Sequence, residues 1–230
     1  MYELLRKDLG LCRYVLLGGT IAMLVPYLAV IVYTVSSSGL TKSEGIEFFS
    51  LGLLNASAIS AWLSVFSLAF LCGFVVAGER RDRSAEFLAF LPPRKSMILF
   101  SKAIVCVAWV IVVAIVYLAV SDYIVPWLSN GEYAYRENAR GELMLVSAIF
   151  CSVFGASWLF STLLSSPVMA VLAGLVTPYV VAMGVYALQL TLGWEFTPES
   201  MADVYSGVLY FSGVATFVGG WWYYILRIEP

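Results

Sequence analysis

LMLVSAIFCSVFGASWLFSTLLSSPVMAVLAGLVTPYVVAMGVYALQLTLGW, residues 143–194, contains no charged side chain. How it is divided decides the fold. A helix needs about 20 apolar residues to cross the hydrocarbon core of a bilayer. These 52 residues are too many for one crossing and suit two. The break falls at Ser165-Ser166-Pro167, because proline lacks the N–H that would continue a helix yet is well suited to open one. Four further uncharged runs, 14–41, 48–78, 103–121 and 204–226, suit one crossing each. The count is six, with spans near 14–35, 50–77, 98–120, 143–164, 168–191 and 206–226. Because the runs are continuously apolar, they predict helices. A barrel strand facing lipid would alternate with polar residues at every second position.

Composition agrees. The 230 residues are 61% hydrophobic and 12% charged, against roughly 25% charged in soluble domains. That much apolar surface has to face lipid. The net charge of −2 gives no footprint for nucleic acid. No histidine is present, which removes Ser-His dyads, histidine-ligated haem and HExxH zinc sites. The cysteines, Cys12, Cys72, Cys106 and Cys151, form no CxxC pair and read as small apolar fillers in helices rather than a disulfide framework. The apolar stretch after Arg13 reaches about Val35. That exceeds the roughly 7–15 residue core of a signal peptide, so it reads as a retained span.

Lys and Arg set the orientation. With the N-terminus inside, the inner segments hold Arg6, Lys7, Arg13, Arg80, Arg81, Arg83, Arg94, Lys95, Lys102 and Arg227, ten of the thirteen basic residues. Outside remain Lys42, Arg136 and Arg140. Both termini are therefore expected in the cytoplasm, with the chain a single multi-pass domain, 1–230, of the cell (inner) membrane. No extramembrane segment is large enough to fold alone.

Three stretches hold features beyond crossing the bilayer. Tyr2, Leu5, Leu9 and Cys12 recur on one helical face, with Glu3, Arg6, Lys7 and Arg13 away from it. This predicts an amphipathic helix in the inner interface before a turn into span one. The inner segment 78–97, GERRDRSAEFLAFLPPRKSM, begins with dense charge, becomes apolar at Phe87, Leu88, Phe90 and Leu91, and stops at Pro92-Pro93. A short helix from about Arg83 to Leu91 would carry an apolar patch rimmed by charge, suited to docking another protein. On span two, Ser57, Ser60, Ser64 and Ser67 repeat at three- and four-residue spacing near Asn55. That stripe reads either as a wall facing substrate or as close helix packing through small residues. Gly207, Gly213, Gly219 and Gly220 on span six admit the packing reading. Trp221-Trp222-Tyr223-Tyr224 reads as an aromatic belt at the inner interface.

Glu79, Ser84-Ala85-Glu86, Leu88, Leu91-Pro92, Arg94 and Lys102 resemble a motif of type-2 ABC transporter permeases, in which a Glu precedes a Gly-Thr-Glu-like triplet, leucines, a Pro, a basic residue and a Lys opening span three. Ser84-Ala85 stands where Gly-Thr is usual, keeping small size. The layout of the whole chain is similar to that family. The resemblance implies a permease subunit, an exporter, that works as a dimer with a second copy or a related permease. It also implies an ABC ATPase subunit that holds ATP and Mg on its own chain. Segment 78–97 would then be the coupling helix, with Glu79, Arg83, Glu86, Phe87, Leu88, Phe90 and Leu91 contacting the ATPase. The region between spans five and six, which contains Trp194 and Pro198, would hold short re-entrant helices. No GxxxxGK[ST] phosphate loop occurs here, so ATP hydrolysis is expected elsewhere. Competing classes are a non-transporting membrane scaffold or regulator and an intramembrane enzyme. Paired carboxylates inside spans would support the enzyme, and the central runs contain none. The spans are expected to lack buried charge, which leans away from a small ionic substrate.

A reporter active only outside the membrane is expected to work when fused near Gly39, Tyr133 or Trp194, and to fail near Arg83, Ser166 or Pro230. External activity at Arg83 would overturn the six-span topology.

Overall fold

The computed structural model describes residues 2–36, 42–81, 95–129, 139–193 and 198–227, all regular elements among them being helical. These are α1 (Tyr2–Ser36), α2 (Lys42–Arg81), α3 (Lys95–Leu118), α4 (Ala139–Leu163), α5 (Pro167–Leu192) and α6 (Pro198–Arg227). Each contains one stretch long and apolar enough to cross a bilayer. The six-helix, all-α membrane fold expected from the uncharged runs is therefore the observed one.

The division of residues 143–194 falls where proline dictates. Leu164 to Ser166 leave the helix, Ser166 adopts an extended backbone and Pro167 occupies the first helical position of α5. At its far end α5 stops on Gly193, in the left-handed region at φ 64°, whose N–H bonds the Gln189 carbonyl. Only glycine takes that conformation without a Cβ clash.

Three expectations about helix ends need correction. First, no turn separates an interfacial helix from span one: Tyr2–Ser36 is a single helix, about 52 Å long at 1.5 Å per residue. Its packed face also differs, since Leu9 is 44% exposed while Asp8 and Cys12 are buried. Second, α3 does not stop at 120. It passes through a π-helical stretch, Ala119–Ile124, into a last α-helical turn, Val125–Leu128. Pro126 explains the widened turn, because it cannot donate to the ladder and its ring crowds the carbonyl four residues back. Third, among the described residues no separate re-entrant helix precedes span six, because α6 begins at Pro198 and runs unbroken to Arg227.

The most buried span is α2, which touches α1, α3, α4 and α5. The closest helix pair is α4 with α6. A Cβ on Gly155 would strike the Gly213 carbonyl, and one on Gly213 would strike the Cys151 carbonyl, so the two backbones meet as small residues allow in membranes. Phe154 stacks on Phe217 at 5.1 Å between ring centroids, and Trp158 on Trp221 at 6.5 Å. The belt at the end of α6 is thus divided: Trp222 is exposed, whereas Trp221 packs on Trp158 and Tyr224 is buried. Of the four glycines noted on α6, Gly213 and Gly220 press on α4, while Gly207 and Gly219 face open space.

Gly213→Leu should separate α4 from α6 and destabilise by about 1–3 kcal/mol or more, the usual cost of overpacking. Gly219→Leu should stay within about 0.5 kcal/mol of the parent. Thermal unfolding of the detergent-solubilised protein distinguishes them, and equal melting of the two variants would contradict the close α4–α6 contact.

Candidate functional site

A buried ion pair joins the first turns of α1 to the first turns of α3. Asp8 is 4% exposed and Lys102 is 1% exposed. The Lys102 ammonium lies 3.5 Å from Asp8 Oδ1, and the Ser101 hydroxyl donates to Asp8 Oδ2 at 2.6 Å. Ser101 also lies 2.9 Å from the Ile98 carbonyl. Helical spacing makes the arrangement possible. Asp8 and Cys12 occupy one face of α1, as Lys102 and Cys106 do on α3, each pair four residues apart. Cys12, Cys72 and Cys106 belong to the same buried core, all as free thiols.

The expectation that no span buries charge is therefore corrected, since Lys102 lies within the membrane-length stretch of α3. Lys102 was visible as a motif residue at the opening of span three, but Asp8 was not singled out. An acid among Arg6, Lys7 and Arg13 reads as part of a solvated flank. The available signal was the i, i+4 register of Asp8 with Cys12, the one residue of the predicted apolar face that is buried among those whose side chains are described.

The serine stripe of α2 faces the helices around it. Ser57, Ser60, Ser64 and Ser67 are all buried. The Ser60 hydroxyl donates to the Met23 carbonyl of α1 at 2.7 Å. Ser57, Ser64 and Ser67 donate to carbonyls of their own helix, those of Leu54, Ser60 and Leu63. A Cβ on Gly19 of α1 would come within 2.9 Å of Ser67 and of Trp109. Asn55 is set apart from the stripe, on the exposed side of α2. The structure thus buries all four serines, sets Ser60 and Ser67 against α1, and does not bring Asn55 to them.

Of the residues expected to contact an ATPase, Glu79 lies in the last turns of α2. Arg83, Glu86, Phe87, Leu88, Phe90 and Leu91 lie outside the described residues. What the structure gives is the frame around them: α2 reaches Arg81 and α3 resumes at Lys95, seven residues before the buried Lys102.

A second feature is a groove of about 240 Å³ between α3 and α4, floored by Ala61 of α2 and walled by apolar side chains such as Val110, Ala114, Val146 and Phe150. At its edge the Ser147 and Tyr210 hydroxyls are hydrogen-bonded to each other. Among the described residues no group of three or more His, Cys, Asp or Glu could hold a metal ion. No protein-family model, no curated protein and no solved structure matches the chain.

Removing one member of a buried pair strands the other charge and costs about 3–5 kcal/mol, whereas replacing both by apolar residues is often neutral. Asp8→Ala and Lys102→Met should each lower the melting temperature in detergent well below that of the Asp8→Ala, Lys102→Met double variant. Additive losses in the double variant would mean that the two side chains do not act as a pair.

Proposed function

We propose that this multi-pass membrane protein is the permease subunit of an ABC transporter of the type-2 exporter class. A separate ATPase chain would supply ATP hydrolysis, and substrate would cross by alternating access. The reading rests on one observation: the pattern from Glu79 through Ser84-Ala85-Glu86, Leu88, Leu91-Pro92 and Arg94 to Lys102, set between spans two and three of a six-helix chain. No residue of this chain is assigned a catalytic role.

The frame of that segment supports the reading. Helix α2 has 40 residues, about 60 Å at 1.5 Å per residue, twice the roughly 30 Å hydrocarbon core. Its uncharged stretch closes at Gly78, so the charged end of α2, Glu79 to Arg81, follows the apolar part of the helix and leads toward segment 82–94. On the far side, the burial of Lys102 against Asp8 fixes the start of α3. A docking element mounted between two anchored helices can pass a displacement to both. The excess of Lys and Arg on this side argues for the cytoplasm, where an ATPase would be found, with both termini on the same side of the cell (inner) membrane. One six-span unit offers half of a symmetric pathway, so a second copy or a related permease completes the assembly. Of the two readings of the serine stripe, the buried and backbone-bonded hydroxyls of Ser57, Ser60, Ser64 and Ser67 favour close helix packing over a substrate wall, and Asn55 stands apart from them.

An apolar side chain released from water contributes about 1.5–3 kcal/mol, whereas a charged rim contact contributes about 1 kcal/mol or less. Replacing Phe87 and Leu88 with Asp should therefore release the ATPase in co-purification from membranes, at unchanged permease level. Glu79→Ala and Glu86→Ala should weaken it less. Full co-purification together with unimpaired ATP-driven transport in the Phe87, Leu88 variant would refute the coupling role.

A further inference from the structure

We propose that the groove between α3 and α4 is a binding site for one acyl chain of a bilayer lipid, in the leaflet that surrounds the C-terminal half of α3. Helices α3 and α4 make no extensive contact with each other, although both pack on α2, so the space between them is a seam with Ala61 as its floor. Three observations select the occupant.

The first is polarity. The walls are apolar, and the polar atoms at the edge are already engaged: the Ser147 hydroxyl pairs with Tyr210 and with the Leu143 carbonyl at 2.7 Å, and the Cys151 thiol faces the Tyr210 carbonyl at 3.9 Å. A sugar, peptide or ion would lose its hydration there without replacement. The second is size. From Val107 to Tyr117 the groove follows α3 for about 15 Å, half of the roughly 30 Å hydrocarbon core and so the depth of one leaflet. Its volume of about 240 Å³ lies below the roughly 300–1,000 Å³ of sites that enclose a whole small molecule. The third is continuity with the bilayer. Val107, Ile111 and Leu143 line the groove and are 45%, 52% and 38% exposed on the lipid-facing surface, while Val113 and Phe150 close its inner side as buried residues. A chain can enter sideways from the surrounding lipid without crossing a headgroup region. With the N-terminus inside, the leaflet is the outer one.

The test uses the chain alone, reconstituted in phosphatidylcholine vesicles, so it does not depend on the ATPase reading, which co-purification addresses separately. A phosphatidylcholine carrying a diazirine in one acyl chain is photolysed, and labelled peptides are quantified by mass spectrometry. Labelling of residues 107–117 and 146–154 should exceed that at Val176 and Val180, ordinary lipid-facing positions of α5, by at least about fivefold. Ala114→Leu and Ala114→Phe, which fill the groove from an exposed position, should reduce groove labelling stepwise and leave α5 labelling unchanged. Even labelling of α3, α4 and α5 would overturn the proposal, as would groove labelling that survives Ala114→Phe. Cross-linking of these positions to a second copy of the chain, in place of lipid, would overturn it as well.

Discussion

A lysine ammonium with 1% exposure inside a helix bundle is the constraint on which the rest of the arrangement depends. Removing that charge from water costs several kcal/mol unless an opposite charge and hydrogen bonds replace the lost hydration. Asp8 supplies both functions, with Ser101 holding its second oxygen. The consequence reaches along the whole of α1. Few side chains of its membrane-length stretch are buried, and its packing is mainly against α2. The pair fixes its rotation and height against α3. With Asp8 pointing inward, Cys12, Gly19 and Met23 follow at helical spacing, which brings Gly19 onto Ser67 and Trp109 and the Met23 carbonyl onto Ser60. An interfacial helix lying flat would carry Asp8 away from Lys102, so the buried lysine and a bent N-terminus are incompatible.

Lipid provides no hydrophobic force between spans, and close packing and polar contacts must take its place. The chain uses the two in different places. Around α1, α2 and α3 the ion pair, the serines and Gly19 join an apolar core that includes Leu68, Leu99 and Trp109. Between α4 and α6 they are glycine against backbone and a run of stacked rings. Helix α5 presses on α4 where Gly174 meets Ser157, and on α2 where Gly73 meets Val171. Only α2 has extensive contacts with members of both groups on its two sides, and the groove marks where the groups separate without it.

The spans were legible because length and lack of charge are properties of contiguous residues, and Pro167 marks its own position. Helix ends were less so. Pro126 sits where a helix could stop, yet a π-helical turn accommodates it, and Val120 and Val125 on either side of that turn pack with Leu53, a contact that local sequence does not show. The serine stripe could be read as a stripe, but which neighbour it faced depended on the rotation of α1, set in turn by Asp8. That residue was the least legible of all, because its partner lies 94 positions away and only its i, i+4 register with Cys12 separates it from a solvated acid of the flank. Motif residues 82–94 were legible as a pattern, and the structure adds only the two helix ends that carry them.

Those two ends bear on how a push delivered through 82–94 would spread. On the side of α3, the ion pair ties α1 to whatever α3 does, because separating them would strand a charge in a dry interior. On the side of α2, contacts with α4 and α5 oppose independent movement of α2. Among the described residues α3 and α4 make little backbone contact with each other, which leaves a weak seam between them. Displacement of α3 relative to α4 would therefore change the groove while leaving the glycine contacts between α4 and α6 in place. An acyl chain in that seam would fill the space that such a movement opens or closes, and a bilayer can supply or withdraw the chain without exposing any buried polar group.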